Sequence, residues 1–196
     1  GNVALEDKWE PSFRMENLRI YRDMGEHAVA AGAELIVWPE TAFPVSIFHD
    51  RGAEEALRKT ARDLGVDIIT GFQGLGSAAA GGYSYRNACG LISATGAFEG
   101  CYSKQRLLPF GERIPLVDFL APGLDIDLGQ SNFTPGPGVR IFEAERLSCA
   151  PFICYEMGFA SDLRRAAAGG AELLVNISND GWFAHPLALG LHAALS

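Results

Sequence analysis

Three reactive side chains stand just past three apolar runs. Glu40 follows "LIVWP", Lys104 follows "AFEGCYS" and Cys154 follows "APFI". A thiol attacks a carbonyl as its thiolate, so a nucleophilic cysteine needs a base or a cation beside it. A carboxylate in an apolar cleft is desolvated, holds its proton to higher pH and can shuttle it near neutrality. An ammonium beside the reacting carbonyl stabilises the negative charge of a tetrahedral intermediate. A Glu, a Lys and a Cys thus make a complete set for acyl transfer, and no histidine is needed. Each also has a plainer role: Glu40 as a solvated loop residue, Lys104 as a surface charge guarding a strand end, Cys154 as core filler.

The elements around them can be read from hydrophobic period and turn chemistry. A helix is expected over 13–31, with Ser12 as N-cap and Phe13, Ile20, Met24, Ala28 and Ala31 on its apolar face. A buried strand over 35–38 is stopped by Pro39, which leaves Glu40 just beyond its end. A helix over 52–65 closes at Gly65, and a strand covers 66–72. A Gly/Ala/Ser loop is expected over 74–82, then a hairpin over 85–104 turning at Thr95-Gly96. Residues 105–137 are rich in Pro and Gly, too long for a plain connector, and such loops are usually functional. Strands over 139–144 and 147–156, a helix over 159–168 and a strand over 171–180 complete the pattern. This order implies α/β layers. Ligands in such sheets gather beyond the carboxyl ends of strands, so the three strand-end groups can share one cleft.

Composition narrows the function classes. The 196 residues bound one domain or a large part of one, and 48% apolar with 20% charged residues fit a globular core. A net charge of −8 argues against a nucleic-acid partner and against docking to anionic lipid through a basic patch. No uncharged run reaches the roughly 20 apolar residues of a membrane span, and no signal-peptide pattern opens the chain. Cys89, Cys101, Cys149 and Cys154 form no C-x-x-C, and His27, His49, His185 and His192 form no H-E-x-x-H, so neither a metal site nor a cofactor is expected. Cys89, Cys101 and Cys149 are expected only to pack.

"WPE", "YSKQRLLPFGERIP" and "CYE" resemble the carbon–nitrogen hydrolase (nitrilase) superfamily, whose sites use Glu, Lys and Cys in that chain order. The matching positions are Glu40, Lys104 and Cys154. "DKW", "WPETAFP", "LPFGERIPL" and "CYEMGFASDLRRAAAGGAELLVNISNDGWF" are more narrowly similar to the catalytic domain of the apolipoprotein N-acyltransferase family. The resemblance implies an α/β fold, a nitrilase-like α-β-β-α sandwich apparently truncated at both ends. Residues 1–196 would form one partial domain, with a transmembrane region expected upstream.

It further implies a ping-pong reaction. Cys154 takes an acyl chain from a phospholipid as a thioester and passes it to the N-terminal diacylglyceryl-cysteine of a lipoprotein. Glu40 is the expected base and acid. Lys104 is the oxyanion stabiliser, with a backbone N–H near Tyr155 as a second donor. Glu112 and Glu156 are expected to orient Lys104 or the cleft, and Trp9 and Tyr155 to lie near the site. The 105–137 loop, through Phe110, Leu116, Val117, Phe119 and Leu120, would contact lipid. The expected location is the bacterial inner membrane, with the domain on the periplasmic side; this fragment alone is expected to be soluble. His192 stands nine residues past Phe183, at about the spacing of a family histidine but without the preceding Gln.

Two other readings use the same residues. One is a soluble amidase acting on a small amide. The other is an inactive fragment serving as a structural module, consistent with an expectation that the isolated piece is marginally stable.

Overall fold

The computed structural model describes residues 11–43, 50–77, 83–109, 111–113 and 133–179. The first helix, α1 (Pro11–Ala30), begins at Pro11. A proline's missing N–H costs nothing at the first helical position, so Ser12 lies inside the helix and is not its cap. The buried face also differs from the expected one. Leu18 and Tyr21 are buried, whereas Ile20 is exposed and Met24 is 57% exposed. Gly25 is the reason. A Cβ there would meet Leu64 Cδ1 at 2.8 Å, so the helix closes on its neighbour along Leu18, Tyr21 and Gly25 and turns Ile20 and Met24 outward.

Strand β1 (Leu35–Val37) follows, then α2 (Arg51–Leu64). Asp50 caps α2 by accepting from the Ala53 N–H at 3.0 Å, and Gly65 closes it in the left-handed region at φ 68°. Strand β2 (Asp67–Ser77) runs parallel to β1, with Val37 opposite Ile69. Strands β3 (Tyr83–Ile92) and β4 (Phe98–Ser103) add antiparallel, giving the order β1-β2-β3-β4. The loop expected from Gly74 onward is strand as far as Ser77. Its glycines are held by pairing to β3, Gly74 opposite Arg86 and Ser77 opposite Tyr83; residues 78–82 lie outside the described ones.

The second sheet has the order β5-β6-β7, made of β5 (Phe142–Glu143), β6 (Ser148–Ile153) and β7 (Leu173–Ile177), with α3 (Ala160–Ala168) between β6 and β7. Strand β5 is shorter than expected because the chain turns at once: the Ala144 N–H donates to the Leu147 carbonyl at 3.1 Å. Strand β7 runs parallel to β6, as a strand–helix–strand crossover requires.

Alternation along the strands sorts the core into layers. Ile68 and Phe72 of β2 pack with Leu57, Ala61 and Leu64 of α2 and with Leu18 and Tyr21 of α1. Ile69 points the other way, into a core shared with Cys89, Leu91, Tyr102, Phe142, Cys149, Ile153, Val175 and Ile177. Ala150 and Phe152 of β6 face Ala166 of α3. The architecture is an α-β-β-α sandwich, as the motifs implied. Burying a Phe or Ile in these layers contributes roughly 1.5–3 kcal/mol each. Cys89 and Cys149 sit in the layer between the sheets; burial raises the first thiol far above its ordinary range and pushes the second up to about 11.

One carboxylate ties the sheets together. Asp67, at the start of β2, accepts from the Ala94 N–H at 2.8 Å in the β3–β4 turn and from the Glu145 N–H at 2.7 Å in the β5–β6 turn. Among the described residues no helix is long and apolar enough to cross a membrane.

Candidate active site

The layer between the sheets changes character toward one end. Along β3 the inner face runs Leu91, Cys89, Asn87; past β4 it runs Tyr102, Lys104; past β7 it runs Val175, Ile177, Asn179. The last member of each series is polar and buried. Glu40 and Cys154 arrive at this same end, beyond β1 and β6.

Glu40 is placed by a tight corner. Pro39 follows β1, and the Trp38 N–H still donates to the Ile69 carbonyl at 2.8 Å. The corner then lies directly on Gly71, where a Cβ would come within 2.5 Å of the Thr41 nitrogen and 2.8 Å of the Pro39 oxygen. Only a glycine permits that approach. Thr41 takes a φ of 50°, in the region disfavoured for residues with a side chain. The Glu40 carboxylate is 4% exposed. Its Oε1 accepts from Asn87 Nδ2 at 2.6 Å and its Oε2 from the Asn179 backbone N–H at 3.0 Å.

Lys104 is 2% exposed. Its own N–H donates to the Asn87 carbonyl at 2.8 Å, and its carbonyl accepts from the Gly136 N–H at 2.8 Å. Gly136 fits only because it has no side chain: a Cβ there would lie 2.0 Å from the Ser103 oxygen. Lys104 Nζ stands 3.6 Å from Glu40 Oε1, 3.0 Å from the Glu112 carboxylate and 5.4 Å from the centre of the Tyr155 ring. Burial works to discharge the ammonium, but Glu40, Glu112 and Cys154 outweigh it, and its pKa rises above that of a free lysine. It is a fixed cation at neutral pH.

Cys154 has a φ of 60° and a half-buried thiol that is not in a disulfide. This left-handed residue ends β6 at Ile153 and starts a single 3₁₀ turn, Cys154–Gly158, where the sequence suggested strand through Glu156. Burial raises the thiol's pKa and Glu40 adds to that. Lys104 and hydrogen bonds with the Tyr155 backbone and the Ser178 side chain pull it down without overcoming the burial. The resting thiol is therefore protonated at neutral pH and depends on a neighbouring base. Alkylation of Cys154 by neutral iodoacetamide is expected to reach half its maximal rate at a pH above that of a free thiol. A midpoint below a free thiol's would show a resting thiolate.

The remaining candidates separate. Glu112 meets Lys104 Nζ, accepts from Asn87 Nδ2 at 2.8 Å and accepts from the Leu108 N–H at 2.8 Å. Glu156 is buried among backbone donors. It accepts from the Gln105, Arg106 and Ile153 N–H groups at 2.7, 3.0 and 2.8 Å, and from the Tyr102 hydroxyl at 2.8 Å. It thus joins the turn after Lys104 to the residue before Cys154. Tyr155 packs at 5.8 Å on Phe159, whose ring lies under the Arg106 guanidinium at 4.7 Å. Burial pushes the Tyr155 phenol up to about 12. Trp9, Phe110, Leu116, Val117, Phe119, Leu120 and His192 lie outside the described residues.

Three neighbours of the site did not stand out in the sequence: Asn87, Ser178 and Asn179. The signal for Asn87 was an amide at an inner-face register position in "YRNACGLI". For the other two it was a polar cluster at a strand end, "NISND". Among the described residues no group of three His, Cys, Asp or Glu is arranged to hold a metal ion.

A four-layer sandwich with Glu, Lys and Cys at the ends of its strands defines a class, and residues 10–194 match the carbon-nitrogen hydrolase family. The chain belongs to that family. In sequence it is similar to the apolipoprotein N-acyltransferase of Pseudomonas syringae pv. tomato, 38% identical over 185 residues, which cover 93% of this chain and 35% of that protein. The apolipoprotein N-acyltransferase of Geobacter metallireducens is 30% identical over 200 residues, covering 100% of this chain and 38% of that protein. The chain thus spans about a third of the length of these relatives. In structure it is similar to an amidase from Nesterenkonia sp., with a TM-score of 0.62 and 23% identity, covering 84% of this chain and 59% of that one. A variant of the Nesterenkonia AN1 amidase from the nitrilase superfamily gives a TM-score of 0.63 at 22% identity, with 84% and 60% covered.

Proposed function

We propose that this chain is the catalytic domain of an enzyme that moves an acyl chain from a phospholipid to the α-amino group of a lipoprotein's N-terminal diacylglyceryl-cysteine. The observation that carries the reading is the meeting of Glu40 and Lys104, 3.6 Å apart, beside the Cys154 thiol. Its setting is a chain 38% identical to an apolipoprotein N-acyltransferase over 93% of its length. Glu40 takes the thiol proton as Cys154 Sγ attacks the phospholipid ester carbonyl. The oxyanion forms beside Lys104, with the Tyr155 backbone N–H as second donor. The intermediate collapses to a thioester, and Glu40 returns the proton to the departing lysophospholipid alkoxide. The lipoprotein amine then attacks the thioester, Glu40 removes its extra proton, and the Cys154 thiolate leaves and is reprotonated.

In this reading Glu112 holds Lys104 on the reaction side of the cleft, Glu156 fixes the two backbone turns that carry Lys104 and Cys154, and Tyr155 lines the site. The domain works at the periplasmic face of a bacterial inner membrane, held there by membrane-spanning segments elsewhere in the protein.

The test is to incubate the full-length protein with a phospholipid carrying a labelled acyl chain. Label is expected on the peptide containing Cys154, released by neutral hydroxylamine and absent from Cys154→Ala. Label retained by Cys154→Ala would overturn the assignment. Ammonia released from short amides, with no transfer from phospholipid, would instead make the protein an amide hydrolase.

A further inference from the structure

We propose that Asn87 is a positioning residue of this site, its amide holding the carboxylates of Glu40 and Glu112 in place around the one ammonium they share. The proposal rests on the acyl-transfer reading above. Two carboxyl groups and one ammonium meet here, Glu40 and Lys104 buried and Glu112 largely enclosed, so the acidic groups outnumber the cation. Both acids face Lys104 Nζ, at 3.6 and 3.0 Å, and like charges converging in a cleft repel strongly. The Asn87 amide nitrogen carries two N–H groups. One donates to Glu40 Oε1 at 2.6 Å and the other to Glu112 Oε1 at 2.8 Å. Both donors of one planar group are used on the two carboxylates, which keeps both anions solvated and fixes their separation. An amide does this without adding charge and without titrating.

The fold leaves Asn87 little freedom. It is buried, on the inner face of β3, and its carbonyl accepts the Lys104 N–H at 2.8 Å. The pairing that sets Ala88 opposite Ser103 puts Asn87 beside Lys104. The titratable groups around this cluster are Glu40 after β1, Lys104 after β4, Glu112 in the loop beyond it, and Cys154 and Tyr155 on the 3₁₀ turn.

The test uses two near-isosteric variants in the full-length protein, Asn87→Leu and Asn87→Asp, with Cys154→Ala alongside. Asn87→Leu is expected to lower kcat by about 10²-fold with the KM for phospholipid little changed, as for a base displaced by about 1 Å. Asn87→Asp adds a third carboxylate and is expected to lose more at pH 7.5. It should recover part of that loss at pH 5.5, where the protonated acid again donates. Wild-type kcat in Asn87→Leu, or the same loss in both variants at every pH, would overturn the proposal. If Cys154→Ala still transfers acyl groups, the assignment of Cys154 as nucleophile fails; if the wild type transfers none from phospholipid, the acyl-transfer reading fails by itself. Asn87 is then judged by iodoacetamide alkylation of Cys154, whose midpoint should move to higher pH in Asn87→Leu because the removed N–H dipoles no longer offset the carboxylates. An unchanged midpoint would overturn the proposal independently of lipid.

Discussion

Lys104→Met is expected to lower acyl transfer at least about 10³-fold, with kcat falling and the KM for phospholipid nearly unchanged. The ammonium acts mainly once charge develops on the carbonyl oxygen, so its loss falls on the transition state and not on ground-state binding. Single-turnover acylation of Cys154 measures this directly; a loss under tenfold would remove Lys104 from the chemistry. The same variant is also expected to be less stable by about 3–5 kcal/mol, read from its denaturant midpoint, because buried Glu40 and largely enclosed Glu112 are left without their cation. The pKa of Lys104 is raised in the folded protein, so its stabilising contribution is fully present below about pH 10, the range of an unfolded lysine. It is lost only as pH rises through the higher folded value. The stability gap between wild type and variant should therefore be full at neutral pH and narrow in strong alkali.

Glu156→Leu is expected to cost on the order of 4 kcal/mol and to lower acyl transfer about 10²-fold. The first effect comes from stranding three N–H groups and the Tyr102 hydroxyl, which share this one buried carboxylate. The second follows because those N–H groups belong to Gln105 and Arg106, just after Lys104, and to Ile153, just before Cys154. Both reactive groups lose their fixed backbone at once. Denaturant unfolding and single-turnover kinetics check the two parts separately; a variant with wild-type stability would show that the carboxylate does not hold these turns. Burial raises the Glu156 pKa above the usual carboxylate range against the pull of its hydrogen bonds, so the folded state binds this proton more tightly than the unfolded chain. Mild acidification thus favours folding at this residue, a contribution that Glu156→Leu lacks.

The parts of the fold that could be read from the sequence are those whose cause is local. Helix α2 has its Gly65 stop, and the hairpin has its Thr95-Gly96 turn. Strand β1 has a β-branched run ended by Pro39. The parts that could not be read depend on distant partners. The inward face of α1 is chosen by Gly25 meeting Leu64, a contact no helical period announces. Strand β2 runs on through Gly74 because β3 pairs with it, although glycine in isolation suggests a loop. At the site, Glu40, Lys104 and Cys154 drew attention by residue type at strand ends. Asn87 did not, because its partner Glu40 is 47 residues away and only the sheet brings them together. The φ of Cys154 was hidden as well, since an apolar run entering a cysteine looks the same whether the chain continues straight or turns left-handed.

The tie made by Asp67 gives the molecule the mechanics of a pair of tongs. The heel is at the start of β2, where one carboxylate joins turns from both sheets. The tips are at Gly71 and beyond, where one sheet carries Glu40 and Lys104 and the other carries Cys154. Four residues of strand separate heel from tips, about 13 Å at the usual rise. A change of about 5° in the angle between the sheets would move the tips by roughly 1 Å, a displacement that can cost about a hundredfold in rate. Turnover in this domain should thus respond to the angle between its sheets, with the heel as its fulcrum.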